Sequence, residues 1–239
     1  MNFSLVVGGS KGIGLEIANL FAQRGDEVFV LSRSRAGWGG KHIKADLSSF
    51  DSLEAAIDLI QTENIQFKYL IFAQKNRISP TDMDLEFMIQ LKSTNFLVER
   101  ITANMNGGAI VLLGSPAGRF IVREQPVSYH LCKAAMEQLT RYYAVHLGKQ
   151  NITVNCIMPG TILKEYNREF YNANANITNI LKKISPLGIL GEAKDVANAV
   201  EFFCSNKSLF ITGQSICIDG GQSLEGQESL AKELISSER

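Results

Sequence analysis

Short runs rich in β-branched and aliphatic residues alternate along the chain with longer stretches whose apolar residues recur every three or four positions. The first kind predicts strands at Phe3–Val7, Val28–Leu31, His42–Ala45, Tyr69–Ala73, Ala109–Leu113, Thr153–Ile157 and Ser215–Ile218. The second predicts helices at Ile13–Gln23, Leu53–Thr62, Met88–Met105, Tyr129–Gly148 and Val196–Cys204, each able to lay one face on a sheet. Strands that are apolar throughout and separated by helices form parallel sheets covered on both sides. The expected fold is therefore α/β: one Rossmann-like, doubly wound parallel sheet of about seven strands with helices on both faces. No linker, repeat or low-complexity tract interrupts the pattern, so residues 1–239 read as a single domain. Two stretches stand apart. Thr161 to Leu190 is polar, Asn-rich and poorly periodic, and it follows a strand end where open α/β sheets place ligands, so it is expected to be a substrate lid. Leu224 to Arg239 is a polar tail with a short amphipathic stretch at Leu230, Leu234 and Ile235, expected to be a frayed end or a small packing contact.

Composition narrows the function classes. In 239 residues, 24 Lys and Arg face 24 Asp and Glu, which leaves no basic excess to neutralise a nucleic acid backbone or an anionic bilayer. Apolar runs such as Ala109–Leu113 fall far short of a membrane span, and the amino terminus reads as a strand entering a glycine turn, so a cytoplasmic protein is expected. Cys132, Cys156, Cys204 and Cys217 are widely spaced and include no CxxC pair, which fits reduced, packed thiols rather than a zinc site, and no metal is expected.

The first strand runs into Gly8-Gly9-Ser10-Lys11-Gly12-Ile13-Gly14. Glycines let the backbone turn sharply beside a ligand, and the free N–H groups and positive dipole at a helix start favour a pyrophosphate. The spacing is Gly-x3-Gly-x-Gly, not GxGxxG, and a purely structural turn has the same look. At the end of the second strand, where an NAD site usually carries an acid for the ribose 2′-hydroxyl, the chain has Leu31-Ser32-Arg33. A carboxylate there would repel a 2′-phosphate, whereas Arg33 with Lys11 and Ser32 can cradle one, so NADP(H) is expected ahead of NAD(H). Asp46, followed by Leu47 after the third strand, is placed either to bond an adenine amino group or to cap the next helix.

Tyr129 and Lys133 stand four residues apart at the start of a predicted helix, with Ser115 just after the strand Ala109–Leu113 and Asn95 in the helix before it. At i and i+4 the lysine and the phenol share a helix face, and a nearby cation favours the ionised form of a tyrosine whose pKa is otherwise about 10. Here the chain resembles the short-chain dehydrogenase/reductase family. The resemblance spans the glycine turn, Asp46, Asn95, Ser115, Tyr129, Lys133, Pro159-Gly160 and the run from Ile211 to Gly221. It implies hydride transfer between a nicotinamide and a carbonyl, with Tyr129 as proton donor, Ser115 holding the substrate oxygen, Lys133 depressing the Tyr129 pKa and bonding the ribose, and Asn95 holding a relay water. It implies a homo-oligomer too, commonly a tetramer formed through Met88–Met105, Tyr129–Gly148 and the last strand; Ile101, Met136, Leu139 and Tyr143 are apolar residues available for such contacts.

Departures from the family pattern fall at two strand ends. The fourth strand, normally followed by Asn-Asn-Ala-Gly, here reads Ile71-Phe72-Ala73-Gln74-Lys75-Asn76, with Ala73 the expected cofactor neighbour. Four positions beyond Gly160 stands Lys164 in place of the family's threonine, which leaves Ile162 and Thr161 to line that side of the cofactor. Arg119, Arg123 and Glu124, between Ser115 and Tyr129, are either solvated loop charges or contacts for a polar or anionic substrate. Three functions remain open: a reductase of a small or carrier-bound carbonyl, similar to 3-oxoacyl-carrier-protein reductases although Asn104–Gly108 lacks the basic residue those enzymes often present to a carrier; a tailoring enzyme for a sugar or secondary metabolite; and a non-catalytic NADP(H)-binding regulator, for which a broken Tyr/Lys pair would have been the cue.

Overall fold

Nine strands form in the computed structural model, which describes residues 1–35 and 37–236: β1 (Phe3–Val7), β2 (Glu27–Ser32), β3 (Lys41–Lys44), β4 (Tyr69–Phe72), β5 (Gly108–Leu113), β6 (Ile152–Pro159), β7 (Ile162–Leu163), β8 (Gly191–Glu192) and β9 (Ser215–Ile218). Seven of them make one parallel sheet in the order β3-β2-β1-β4-β5-β6-β9. The order reverses between β1 and β4, and the crevice at the carboxyl ends of those two strands is where an open α/β sheet binds its ligand.

The helices are α1 (Gly12–Gln23), α2 (Phe50–Thr62), α3 (Met83–Phe87), α4 (Ser93–Thr102), α5 (Val127–Leu147), α6 (Glu165–Ala173), α7 (Ala175–Lys183), α8 (Ala193–Phe203) and α9 (Gln227–Ser236). Successive strand residues point to opposite faces, so each strand feeds two cores. Leu5, Val7, Leu31, Leu70, Phe72, Ile110 and Leu112 pack on Leu53, Leu97, Ile101, Met136 and Tyr143 from α2, α4 and α5. Val6, Val30, Ile71 and Val111 pack on Ile17, Phe21, Val196 and Val200 from α1 and α8. Burial of each such side chain contributes roughly 1.5–3 kcal/mol, which is why strands apolar on both faces hold the centre of the sheet.

Three regions differ from the sequence expectation. Met88–Met105 is not one helix. Asp82 caps α3 by accepting from the Leu85 N–H at 3.0 Å, a π-helical turn occupies Met88–Lys92, and α4 ends at Thr102. Thr161–Leu190 is not irregular: it holds α6 and α7, which bury no residue, and it is tied back by β7 pairing with β8. Its sequence pattern was weak because neither helix presses a continuous apolar face on the core. The tail forms α9; residues 237–239 lie outside the described residues. Among the described residues, no helix is long and apolar enough to cross a membrane.

Candidate active site

A cleft of about 400 Å³ opens at the reversal point of the sheet. Its floor is the turn between β1 and α1, from which Gly8, Ser10, Lys11, Ile13 and Gly14 line the wall. Gly8 sits at φ +79°, and a Cβ on Gly14 would lie 2.4 Å from the Gly8 carbonyl oxygen, so this approach of helix to strand admits only glycine. Gly12 is not on the cleft wall but at its rim, where an added Cβ would stand 3.4 Å from the Tyr166 ring. Lys11 occupies the N-cap of α1 with extended backbone and makes no side-chain cap, so the helix start keeps free N–H groups for an anion.

At one end lie Ser32, Arg33, Asp46 and Leu47. The Ser32 hydroxyl donates to the Ser34 carbonyl oxygen at 2.8 Å and stands 3.1 Å from His42 Nε2. Asp46 is not the helix cap: Ser49 caps α2, while Asp46 accepts from the Ser48 N–H at 3.0 Å and the Ser48 hydroxyl at 2.7 Å. Burial alone would raise the Asp46 carboxyl, but the bonds from Ser48 and the charge of Arg33 outweigh it and hold it below its ordinary value.

At the other end are Ser115, Tyr129 and Lys133. Ser115 caps the short turn Pro116–Gly118 by accepting from the Ala117 N–H at 3.2 Å. A Cβ on Gly118 would lie 2.9 Å from the Ala134 nitrogen, so the turn rests directly on α5 and holds Ser115 near that helix. Tyr129 and Lys133 occupy the first turns of α5. Lys133, only 4% exposed, donates from Nζ to the Leu113 carbonyl oxygen at 2.9 Å, and Nζ lies 5.5 Å from the Tyr129 ring centroid. Burial pulls the lysine down to about 8. Ala73 from the end of β4 and Pro159-Gly160 from the end of β6 complete this region.

Some expected residues lie elsewhere. Asn95 does not line the cleft; its Oδ1 accepts from the Tyr143 hydroxyl at 2.8 Å, beside an outward-facing depression with Phe50, Phe96, Leu139 and Tyr142. The π turn adds a residue to the helical repeat and so rotates the face that follows it. The polar residue that turn buries is Gln90, 1% exposed, whose Nε2 donates to the equally buried Glu86. Ile162 packs its side chain into the core and against Gly191 rather than lining the cleft. Arg119 turns away and forks onto the buried Glu137 carboxylate at 3.0 and 2.5 Å, and neither Arg123 nor Glu124 lines the cleft. Ile101, Met136 and Tyr143 face the core of their own chain. Gln74, Lys75, Arg77, Gln125, Lys164 and Tyr166 line the cleft and were not foreseen as site residues; their signal was only the two departures from the family pattern, at Gln74-Lys75 and at Lys164.

A family model described as enoyl-(acyl carrier protein) reductase matches residues 7–223, and the chain belongs to the short-chain dehydrogenase/reductase family. It is 32% identical to a tropinone reductase homologue of Arabidopsis thaliana over 93% of this chain and 94% of that protein. It is 29% identical to D-erythrulose reductase of Gallus gallus over 91% of this chain and 94% of that protein. Among solved structures, a short-chain dehydrogenase family protein from Francisella tularensis superposes with a TM-score of 0.81 at 27% identity, covering 94% of this chain and all of that one. The protein is thus an oxidoreductase acting on CH–OH or C=O groups with a nicotinamide cofactor. The cleft fits such a dinucleotide: Lys11 and Arg33 line it beside the glycine turn, Lys133 lines its other end, Asp46 is its one acidic lining residue, and the buried Gln74 Oε1 on its wall has no hydrogen-bond partner among the described residues.

Proposed function

We propose that the protein is an NADPH-dependent reductase of a small ketone or aldehyde, with Tyr129 as general acid. The observation that carries this reading is that Tyr129, Lys133 and Ser115 share one cleft with the glycine turn and with Arg33. Lys11 and Arg33 would hold the 2′-phosphate end, Gly8 to Gly14 the pyrophosphate, and Lys133 the ribose next to the nicotinamide. When bound, NADPH supplies the hydride for the carbonyl carbon. Ser115 donates a hydrogen bond to the carbonyl oxygen, and Tyr129 gives that oxygen its phenol proton as negative charge develops there. The Lys133 ammonium stabilises the phenolate left behind. The relay that the resemblance gave to Asn95 is assigned instead to the junction of α3 and the π turn, where Gln90 of the turn is buried and the Glu86 carboxylate of α3 lies within electrostatic reach of Lys133.

The relatives named D-erythrulose reductase and tropinone reductase homologue support a free substrate rather than a carrier-bound one. We place the protein in the cytoplasm and assemble it as a homotetramer through α4, α5 and β9. Phe50, Leu91, Phe96, Leu139 and Tyr142 support that assembly by lining an apolar depression of about 720 Å³ on the outer surface of α4 and α5. A screen of ketones and aldehydes followed by NADPH absorbance tests the catalytic reading: turnover that disappears in Tyr129→Phe upholds it, and failure of the protein to bind NADPH at all contradicts it.

A further inference from the structure

The charge in the cleft is unevenly matched. At the end that holds Asp46, Lys11 and Arg33 face the phosphates a dinucleotide would bring. Three further cations, Lys75, Arg77 and Lys164, line the same cleft, whose one acidic lining residue is Asp46. None of the three makes an ion pair among the described residues. They are also held in place. Lys75 Nζ lies 5.3 Å from the centroid of the Tyr129 ring, which puts a second ammonium beside the proton donor in addition to Lys133. Arg77 lies 4.8 Å over the Tyr166 ring and donates to its hydroxyl at 3.4 Å, while Lys164 Nζ lies 5.8 Å from the same ring. Tyr166 belongs to α6, so the segment that covers the cleft carries part of this cluster. Burial alone would raise the Tyr166 phenol, but the bond from Arg77 and the charge of Lys164 outweigh it and bring it below its ordinary value, a measure of how positive the surroundings are.

Lys164 and Tyr166 stand over Gly12 of the glycine turn, within reach of a bound pyrophosphate, whereas Lys75 at the Tyr129 ring and Arg77 two residues on are best satisfied by an anion that enters with the substrate. Arg119, the loop cation nearest in sequence to Ser115, is already paired with Glu137, so the positive charge at this end comes from β4 and α6 instead. Lys75 and Arg77 follow β4 in sequence, and Lys75 at the Tyr129 ring sets the anion's place close to the reacting oxygen. We infer that the carbonyl substrate carries an anionic group, a carboxylate or a phosphate, held by Lys75 and Arg77 and closed over by Lys164 and Tyr166. This inference rests on the reductase reading for the word substrate, but anion binding itself does not depend on turnover.

Two measurements separate the two ideas. In the first, the protein–NADPH complex is titrated with glutarate and with its neutral dimethyl ester, following NADPH fluorescence. Glutarate should bind at least about tenfold more tightly than the ester, with an affinity that falls as salt is added. Lys75→Met combined with Arg77→Met should abolish that difference without loss of NADPH binding. In the second, kcat/KM is compared for matched pairs: oxo acids against their methyl esters, and dihydroxyacetone phosphate against dihydroxyacetone. The charged member should be favoured about tenfold or more, and the double variant should bring the ratio near one; whichever pair shows the larger ratio identifies carboxylate or phosphate. Equal binding of glutarate and ester, or a ratio unchanged by the double variant, overturns the inference even if neutral ketones are reduced. Selective glutarate binding without turnover of any carbonyl overturns the reductase reading and leaves the anion site standing.

Discussion

Lys133 Nζ lies 5.5 Å from the centroid of the Tyr129 ring and is anchored by the Leu113 carbonyl oxygen at 2.9 Å. The anchor matters because a lysine is otherwise a long, mobile side chain. Here it is buried at the end of β5 and faces the first turn of α5, so its position is set by the sheet rather than by solvent.

That burial has a pH signature. The folded-state lysine lies at about 8 against an ordinary value of 10.5, so between these limits the unfolded chain binds more protons than the folded one. Stability associated with this group is fully present above 10.5 and is lost as pH falls toward 8, by about 3 kcal/mol in all. Urea midpoints of the protein and of Lys133→Met, compared across that window, should diverge, with the protein gaining on the variant as pH rises. Parallel curves would contradict this account of the lysine.

The proposed preference for NADPH rests on Lys11 and Arg33. NADPH should bind more tightly than NADH, and Lys11→Ala with Arg33→Ala should remove most of that preference, because both line the cleft without an ion-pair partner among the described residues. Fluorescence titration of the unaltered protein giving equal affinities for the two cofactors would contradict it.

Asn95 should behave as a structural residue. Asn95→Ala removes the side-chain oxygen that accepts from the Tyr143 hydroxyl at 2.8 Å and should lower stability by about 1 kcal/mol, while kcat stays within about twofold. A collapse of kcat with stability intact would return Asn95 to the site.

Assembly is checked by light scattering, which should give about four times the 26.3 kDa chain mass at micromolar concentration. Tyr142→Glu, on the exposed face of α5, should shift it to smaller species, whereas a single 26.3 kDa species for the unaltered protein would exclude the tetramer.

The sheet and the Tyr129/Lys133 pair were legible because their signals are local. Strands such as Val6–Val7 and Ile110–Leu113 announce themselves by apolar runs, and a tyrosine and lysine four apart share a helix face whatever surrounds them. Asn95 was misplaced because its face follows from an unbroken 3.6-residue repeat, and the π turn at Met88–Lys92 breaks that repeat without any proline or glycine to mark it. Lys75, Arg77 and Tyr166 were out of reach for another reason: they meet only when the end of β4 and the start of α6 are brought together in space. No periodicity within either segment encodes that meeting. In the same way, the loop charge of Arg119 gave no hint that Glu137, nearly three turns into α5, would bind it.

The most direct test of the account is the kcat of Tyr129→Phe on any carbonyl substrate the protein reduces, measured alongside its NADPH affinity. The substitution keeps the ring beside Lys133 and Lys75 and removes only the hydroxyl proposed to protonate the substrate oxygen. The account predicts a fall in kcat of about 10² to 10⁴ with NADPH affinity nearly unchanged. A variant that turns over at close to the normal rate would contradict it.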